Sequence, residues 1–309
     1  MTEENNFDDS IFDEIPDIEI FKENLLKLKS LDLSSYTQEE IHKIVHKHTI
    51  FIPNYLCPIP NNEFNDYRLY RARFKVDPEK ENVYLQSTFS YPNNFFCSEN
   101  GRANIRRRNV FYCADSPIAS ILESKPAIGD TGCLSIWKPN IDRKVMCALF
   151  LKEGLREANS WHKEANELHD YLKTITPKFK KEKAEHLNHL NQFICQLFVE
   201  EKFPYPISSW LSNSLLYSHR GIDMILYPSS LTDSYFSNMA IHPNFADKYL
   251  QIERVFQFSI NNITDKKLDY GIGLIGIPGS MNIEWREPTE KELIEIVNAL
   301  NIGIDQNRS

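Results

Sequence analysis

The sequence has no basic segment followed by an apolar stretch near its first residue, and nowhere does it hold the roughly 18 apolar residues in a row that a membrane-crossing helix needs. The expectation is a soluble, non-secreted, cytoplasmic protein with no membrane partner. Six cysteines stand at 57, 97, 113, 133, 147 and 195, yet no CxxC pair occurs. Disulfide frameworks and zinc sites both need converging sulfurs, so scattered cysteines inside apolar runs such as Val110-Phe111-Tyr112-Cys113-Ala114 point to reduced, buried thiols, a reducing compartment and no metal. HExxH and GxSxG motifs are also missing, which removes the support for a zinc protease or a Ser-His-Asp hydrolase. Basic residues are missing from the first twenty positions, which carry eight acids (Glu3, Glu4, Asp8, Asp9, Asp13, Glu14, Asp17 and Glu19). The rest of the chain then balances 35 acids against 35 bases. A neutral body offers no broad surface for tracking phosphates, and no direct nucleic-acid binding is expected.

What is present is the composition of an ordinary globular protein: 309 residues, 41% hydrophobic and 25% charged. Residues 1–20 read as an acidic, flexible arm with apolar anchors at Phe7, Ile11, Phe12 and Ile15. Residues 21–60 read as a small helical region and linker. Within it Thr37-Gln38-Glu39-Glu40 forms a capping box, and Pro53, Pro58 and Pro60 mark a connector. Strand patterns follow over 67–74, 109–114, 134–138 and 145–151, with a short helix over 117–124. A helical block spans about 155–219, its polar stretch 178–191 expected on an exposed face. Strand patterns return over 224–227, 249–260 and 267–273, and an amphipathic helix closes the chain over 289–302. The class is α+β.

Several motifs invite a function and lack its context. Gly271-Ile-Gly273-Leu-Ile-Gly276 matches the dinucleotide fingerprint GxGxxG, but Ile277-Pro278-Gly279 follows as a turn where a helix would have to begin. The pairs His42/His46 and His186/His189 have helical spacing for a metal, yet sit in strongly polar segments and read as solvated surface histidines. Arg106-Arg107-Arg108 reads as a solvated turn.

Three segments belong together. The first is the strand Leu69-Tyr70-Arg71-Ala72-Arg73, with two arginines on one face. The second is Gly101-Arg102-Ala103-Asn104, followed by the strand ending Tyr112-Cys113-Ala114 and a helix that carries Glu123 eleven residues after the tyrosine. The third is Tyr227-Pro228-Ser229, with Asn238 shortly after. In order and wording they resemble the RES family, named for its arginine, glutamate and serine, over roughly residues 66–260. Compact RES toxins carry a tryptophan-bearing version of the GRAN segment and lack a long helical insertion, so the resemblance is closer to the larger members.

The resemblance implies an ADP-ribosyltransferase-like core of small mixed or antiparallel sheets, spanning 61–275 with a helical insertion at about 155–205, and a C-terminal helix and tail over 276–309. It implies an enzyme that takes NAD⁺ as substrate, either a glycohydrolase or phosphorylase, in the role of a growth-inhibiting toxin or defence effector paired with a protein antitoxin. Protein ADP-ribosylation is the nearest alternative, and a non-catalytic NAD-binding or partner-binding module is one of a different class. Arg71, Tyr112, Glu123 and Ser229 are the implied catalytic set. Each suits its part chemically: a carboxylate at 123 answers the positive charge that develops on ribose when the glycosidic bond breaks. Arginines at 71, 73 and 102 supply planar donors for the two phosphates. The Tyr112 ring offers a face to the cationic nicotinamide. Ser229, Asn104 and Asn238 are short polar groups able to bind or brace the ligand. Individually, each residue also has a structural reading: Glu123 as a surface helix residue beside Lys125, Tyr112 as core, Arg71 as half of an ion pair, Ser229 as a turn.

Overall fold

The computed structural model describes residues 14–306 apart from 51, 53–55, 77–78, 176–180, 219–220 and 265–266. Ten strands form one mixed sheet: β1 (Leu56–Ile59), β2 (Leu69–Phe74), β3 (Phe111–Ala114), β4 (Thr131–Pro139), β5 (Val145–Leu149), β6 (Met224–Pro228), β7 (Ser237–Ile241), β8 (Leu250–Thr264), β9 (Lys267–Pro278) and β10 (Ile283–Arg286). The order across the sheet is β1-β5-β6-β7-β3-β2-β4-β8-β9-β10, and among the described strands β5–β6 is the one parallel pair. The described helices are α1 (Ile18–Ser30), α2 (Gln38–Thr49), α3 (Asn61–Phe64), α4 (Pro117–Glu123), α5 (His162–Ile175), α6 (Lys181–Glu200), α7 (Pro206–Asn213), α8 (Pro243–Tyr249) and α9 (Glu290–Gln306).

The α+β class is therefore seen, but the strands join one sheet where several small ones were expected. The join is narrow. β2 pairs with β4 along its whole length, from Leu69–Trp137 to Phe74–Gly132, and β3 pairs with β7 from Phe111–Ile241 to Ala114–Asn238. Between β2 and β3 only Tyr70 and Ala114 pair. The sheet thus consists of two five-strand halves touching at one point, and beyond it β2 and β3 diverge.

β6 and β7 are buried along their full length because both faces are covered, as their continuous apolar character requires. Alternate residues serve opposite faces. Ala148, Ile225, Tyr227 and Ala240 pack on one side with Phe21 and Leu28 of α1, Ile41 of α2, Phe198 of α6 and Trp210 of α7. Cys147, Leu149, Met224, Leu226 and Met239 pack on the other with Phe64, Trp137, Trp161 and Phe245. The N-terminal helices are consequently part of the main core. The segment read as a connector contributes β1, whose Pro58 pairs with Met146. An edge strand tolerates proline because the lost N–H faces no neighbour.

Local signals account for several boundaries. The Thr37 hydroxyl accepts from the Glu40 N–H at 3.3 Å while the Glu40 carboxylate accepts from the Thr37 N–H at 2.8 Å, closing the expected capping box of α2. Thr289 and Glu292 repeat the arrangement ahead of α9. The GxGxxG match lies inside β9, which continues past position 276 and turns into β10.

Three expectations need correction. His186 is 3% exposed, tilted against Phe21, with a ring nitrogen 2.8 Å from the Pro16 carbonyl; it is a core residue of α6, not a surface one. Asn191, from the stretch expected to be exposed, is also buried. Of the acidic arm, residues 1–13 lie outside the described residues, and the part from 14 onward is docked, with Ile15 buried.

Candidate functional site

The divergence of β2 from β3 leaves backbone groups on β2 without a strand partner, and buried backbone polar groups must find one. Two residues past the Tyr70–Ala114 pair, the Ala72 N–H donates to the Ser120 hydroxyl at 2.6 Å, and the Ala72 carbonyl accepts from the Ser124 hydroxyl at 3.2 Å. Ser120 lies within α4 and Ser124 is the residue that caps its C-terminus, so α4 is fastened across the gap as a substitute strand. Arg71 spans the same gap: its Nη1 donates to the Tyr112 carbonyl at 2.9 Å and its Nε to the Ser90 carbonyl at 3.1 Å. Burial, with Arg73 nearby, pulls the Arg71 guanidinium down to about 10, which still leaves it a cation at neutral pH.

Fastening α4 there carries its last residue, Glu123, to the floor of the gap. A carboxylate at a helix C-terminus opposes the helix dipole, so helix stability does not explain it. Its Oε1 accepts from the Ser229 hydroxyl at 2.7 Å and from Asn238 Nδ2 at 2.9 Å. No donor among the described residues occupies Oε2. The two anchors arrive from the end of β6 and from β7, where Asn238 pairs with Ala114 and Tyr227.

Around this carboxylate lies a cavity of about 440 Å³, within the usual size for small-molecule sites, walled by Arg71, Arg102, Tyr112, Glu123, Tyr205 and Tyr227. The Tyr112 hydroxyl accepts from the Ala103 N–H at 2.8 Å and donates to Asn104 Oδ1 at 2.9 Å, which fixes the ring. Burial pushes the hydroxyls of Tyr112 and Tyr227 well up, so both stay neutral. The Cys113 thiol is raised in the same way and is inert as a nucleophile. Comparison of the sequence with family models and with curated proteins found no match.

Of the expected site residues, Arg71, Arg102, Tyr112, Glu123 and Asn238 converge on this cavity. Three have other places. Ser229 is 0% exposed, so its hydroxyl serves the carboxylate and is out of reach of a ligand. Asn104 stands behind Tyr112 as a brace. Arg73 lines the neighbouring cavity, where it pairs with Glu81 at 2.7 Å and donates to the Thr88 carbonyl. Lys125, Tyr205 and Tyr227 also line the site, although the sequence marks none of them as a ligand-binding residue. Tyr227 adjoins Pro228 and Ser229 and was within reach of a motif argument. Tyr205 directly precedes α7 and has no local signature. Among the described residues no cluster of three or more His, Cys, Asp or Glu is placed to hold a metal ion, and no helix is long and apolar enough to cross a membrane.

Proposed function

We propose that the protein is an NAD⁺-consuming enzyme that cleaves the bond between nicotinamide and ribose and passes ADP-ribose to water or inorganic phosphate. The observation that carries this reading is Glu123: one carboxylate oxygen is tied by Ser229 and Asn238, and the other is left without a protein donor on the wall of a cavity that also holds two arginines. When the glycosidic bond breaks, its electron pair stays on the nicotinamide nitrogen, which becomes neutral, and positive charge develops on the ribose. A preorganised anion stabilises that charge more than it stabilises the ground state, and so lowers the barrier. The remaining donors of Arg71 suit the pyrophosphate. The tyrosine faces suit flat rings.

Continued turnover would drain the NAD⁺ pool, which fits a growth-inhibiting toxin or defence effector restrained by a protein antitoxin. The test is nicotinamide release from NAD⁺ by purified protein, with the ADP-ribose product traced. Glu123→Gln keeps the shape and an acceptor for both anchors while removing the charge; loss of one such electrostatic group costs about 100- to 1000-fold in kcat. An unchanged rate in that variant would remove the reading. Label accumulating on protein without free ADP-ribose would replace the acceptor by a protein side chain.

A further inference from the structure

The cavity has a second recognition element that the cleavage chemistry does not use. Arg102 lies with its guanidinium 4.9 Å from the centre of the Tyr205 ring and donates to the Glu201 carbonyl at 3.2 Å. Tyr205 is held in the left-handed region at φ 56°, where the Cβ of any residue but glycine crowds the following carbonyl oxygen, a strained conformation that clusters at ligand-clamping positions. The support beneath is built. The Glu201 carboxylate accepts from the N–H groups of Ile207 at 2.8 Å and Ser208 at 2.9 Å, closing the first turn of α7 directly after Tyr205. Phe203 packs edge-on against Tyr205 at 6.0 Å. The loop before α7 thus brings the Tyr205 ring against the guanidinium of Arg102 from the Gly101–Asn104 segment, and both side chains line the cavity.

We infer that the Arg102–Tyr205 pair is a purine-binding shelf that takes the adenine of the dinucleotide. The sign of charge decides the orientation. NAD⁺ carries two flat rings; adenine is neutral and stacks well on both tyrosine and guanidinium planes. The nicotinamide ring is a cation and is repelled by Arg102, whereas Glu123 attracts it. The loop before α7 therefore has a function: with Arg102 it forms the half of the site that distinguishes an adenine dinucleotide from a ligand containing nicotinamide alone. The placement of the adenine rests on the dinucleotide reading of this cavity, but purine stacking is testable without turnover.

The experiment measures AMP binding by calorimetry to the full-length chain and to two variants. Tyr205→Asn removes the ring while keeping a residue that accepts positive φ. Arg102→Lys keeps the charge and removes the plane. Wild type is expected to bind AMP, and each variant to lose about 5- to 150-fold in affinity, the range for one stacked base. Wild type that fails to bind AMP, or AMP affinity unchanged in both variants, overturns the shelf. Binding through Tyr205 in a protein that consumes no NAD⁺ leaves the shelf standing and removes the cleavage reading instead.

Discussion

Ser229→Ala separates two roles for the serine, direct contact with a ligand and support of Glu123. Ser229 is fully buried and donates its one hydroxyl proton to Glu123 at 2.7 Å, while Asn238 supplies the second donor at 2.9 Å. A hydrogen bond to a charged group contributes about 1.5–3 kcal/mol. If that much orienting energy is lost from the transition state, kcat for NAD⁺ falls about 10- to 150-fold. The KM should hold, because Ser229 touches no ligand. The decisive control is the Glu123→Ala background, where the acceptor is gone and Ser229→Ala should cost nothing more. Steady-state kinetics of the four proteins in this cycle read the coupling, with thermal melts to verify folding. A raised KM at unchanged kcat, or an equal loss in both backgrounds, would show that the serine acts on substrate and refute the reasoning.

Two further predictions concern the frame around the site. Tyr112→Phe leaves the buried Ala103 N–H without its acceptor and Asn104 without its donor, so denaturant titration should register about 1–3 kcal/mol of lost stability; a midpoint unmoved from wild type would mean that this network does not brace the strand. Asp115 accepts from the Ser160 hydroxyl at 2.6 Å and the Ser237 N–H at 2.9 Å, and burial raises its carboxyl from 3.8 to about 6. The folded state therefore holds this proton more tightly than the unfolded chain. Stability is greatest while the group is protonated in both states, below about pH 4, and declines as pH rises to about 6, by up to about 3 kcal/mol. Asp115→Asn should accordingly gain on wild type by that amount between pH 4 and 7; a gap independent of pH would contradict the assignment.

The parts of the fold legible in the sequence are those written in local chemistry. Thr37 and Glu40 mark the start of α2 by a reciprocal hydrogen bond, and Pro117 opens α4 where its missing N–H costs nothing. β7 was not legible, because Ser237 and Asn238 look like turn residues. Their burial is made possible by distant partners: Asp115 and Asn159 for Ser237, and Glu123 for Asn238. β1 was hidden by Pro58, acceptable only because the strand is at an edge. His186 was hidden by its polar neighbours, and its burial depends on Pro16, far away in the chain.

The site followed the same division. Arg71, Tyr112, Glu123 and Asn238 lie on or beside the two strands that part from each other, so an ordered set of motifs located them. Ser229 was located, but a sequence carries no measure of depth, and full burial changes its part from ligand contact to support. Arg73 shares a strand with Arg71 yet is claimed by Glu81, a partner set by a loop fold. Tyr205 reaches the cavity from the loop before α7, which has no pattern tying it to the other motifs.

The most direct test of the central claim is the rate of nicotinamide release from NAD⁺ by the purified full-length protein and its Glu123→Gln variant under identical conditions. Wild type is expected to release nicotinamide, and the variant to lose about 100-fold or more of that rate. Equal rates in the two proteins, or no release by folded wild type, would contradict that claim.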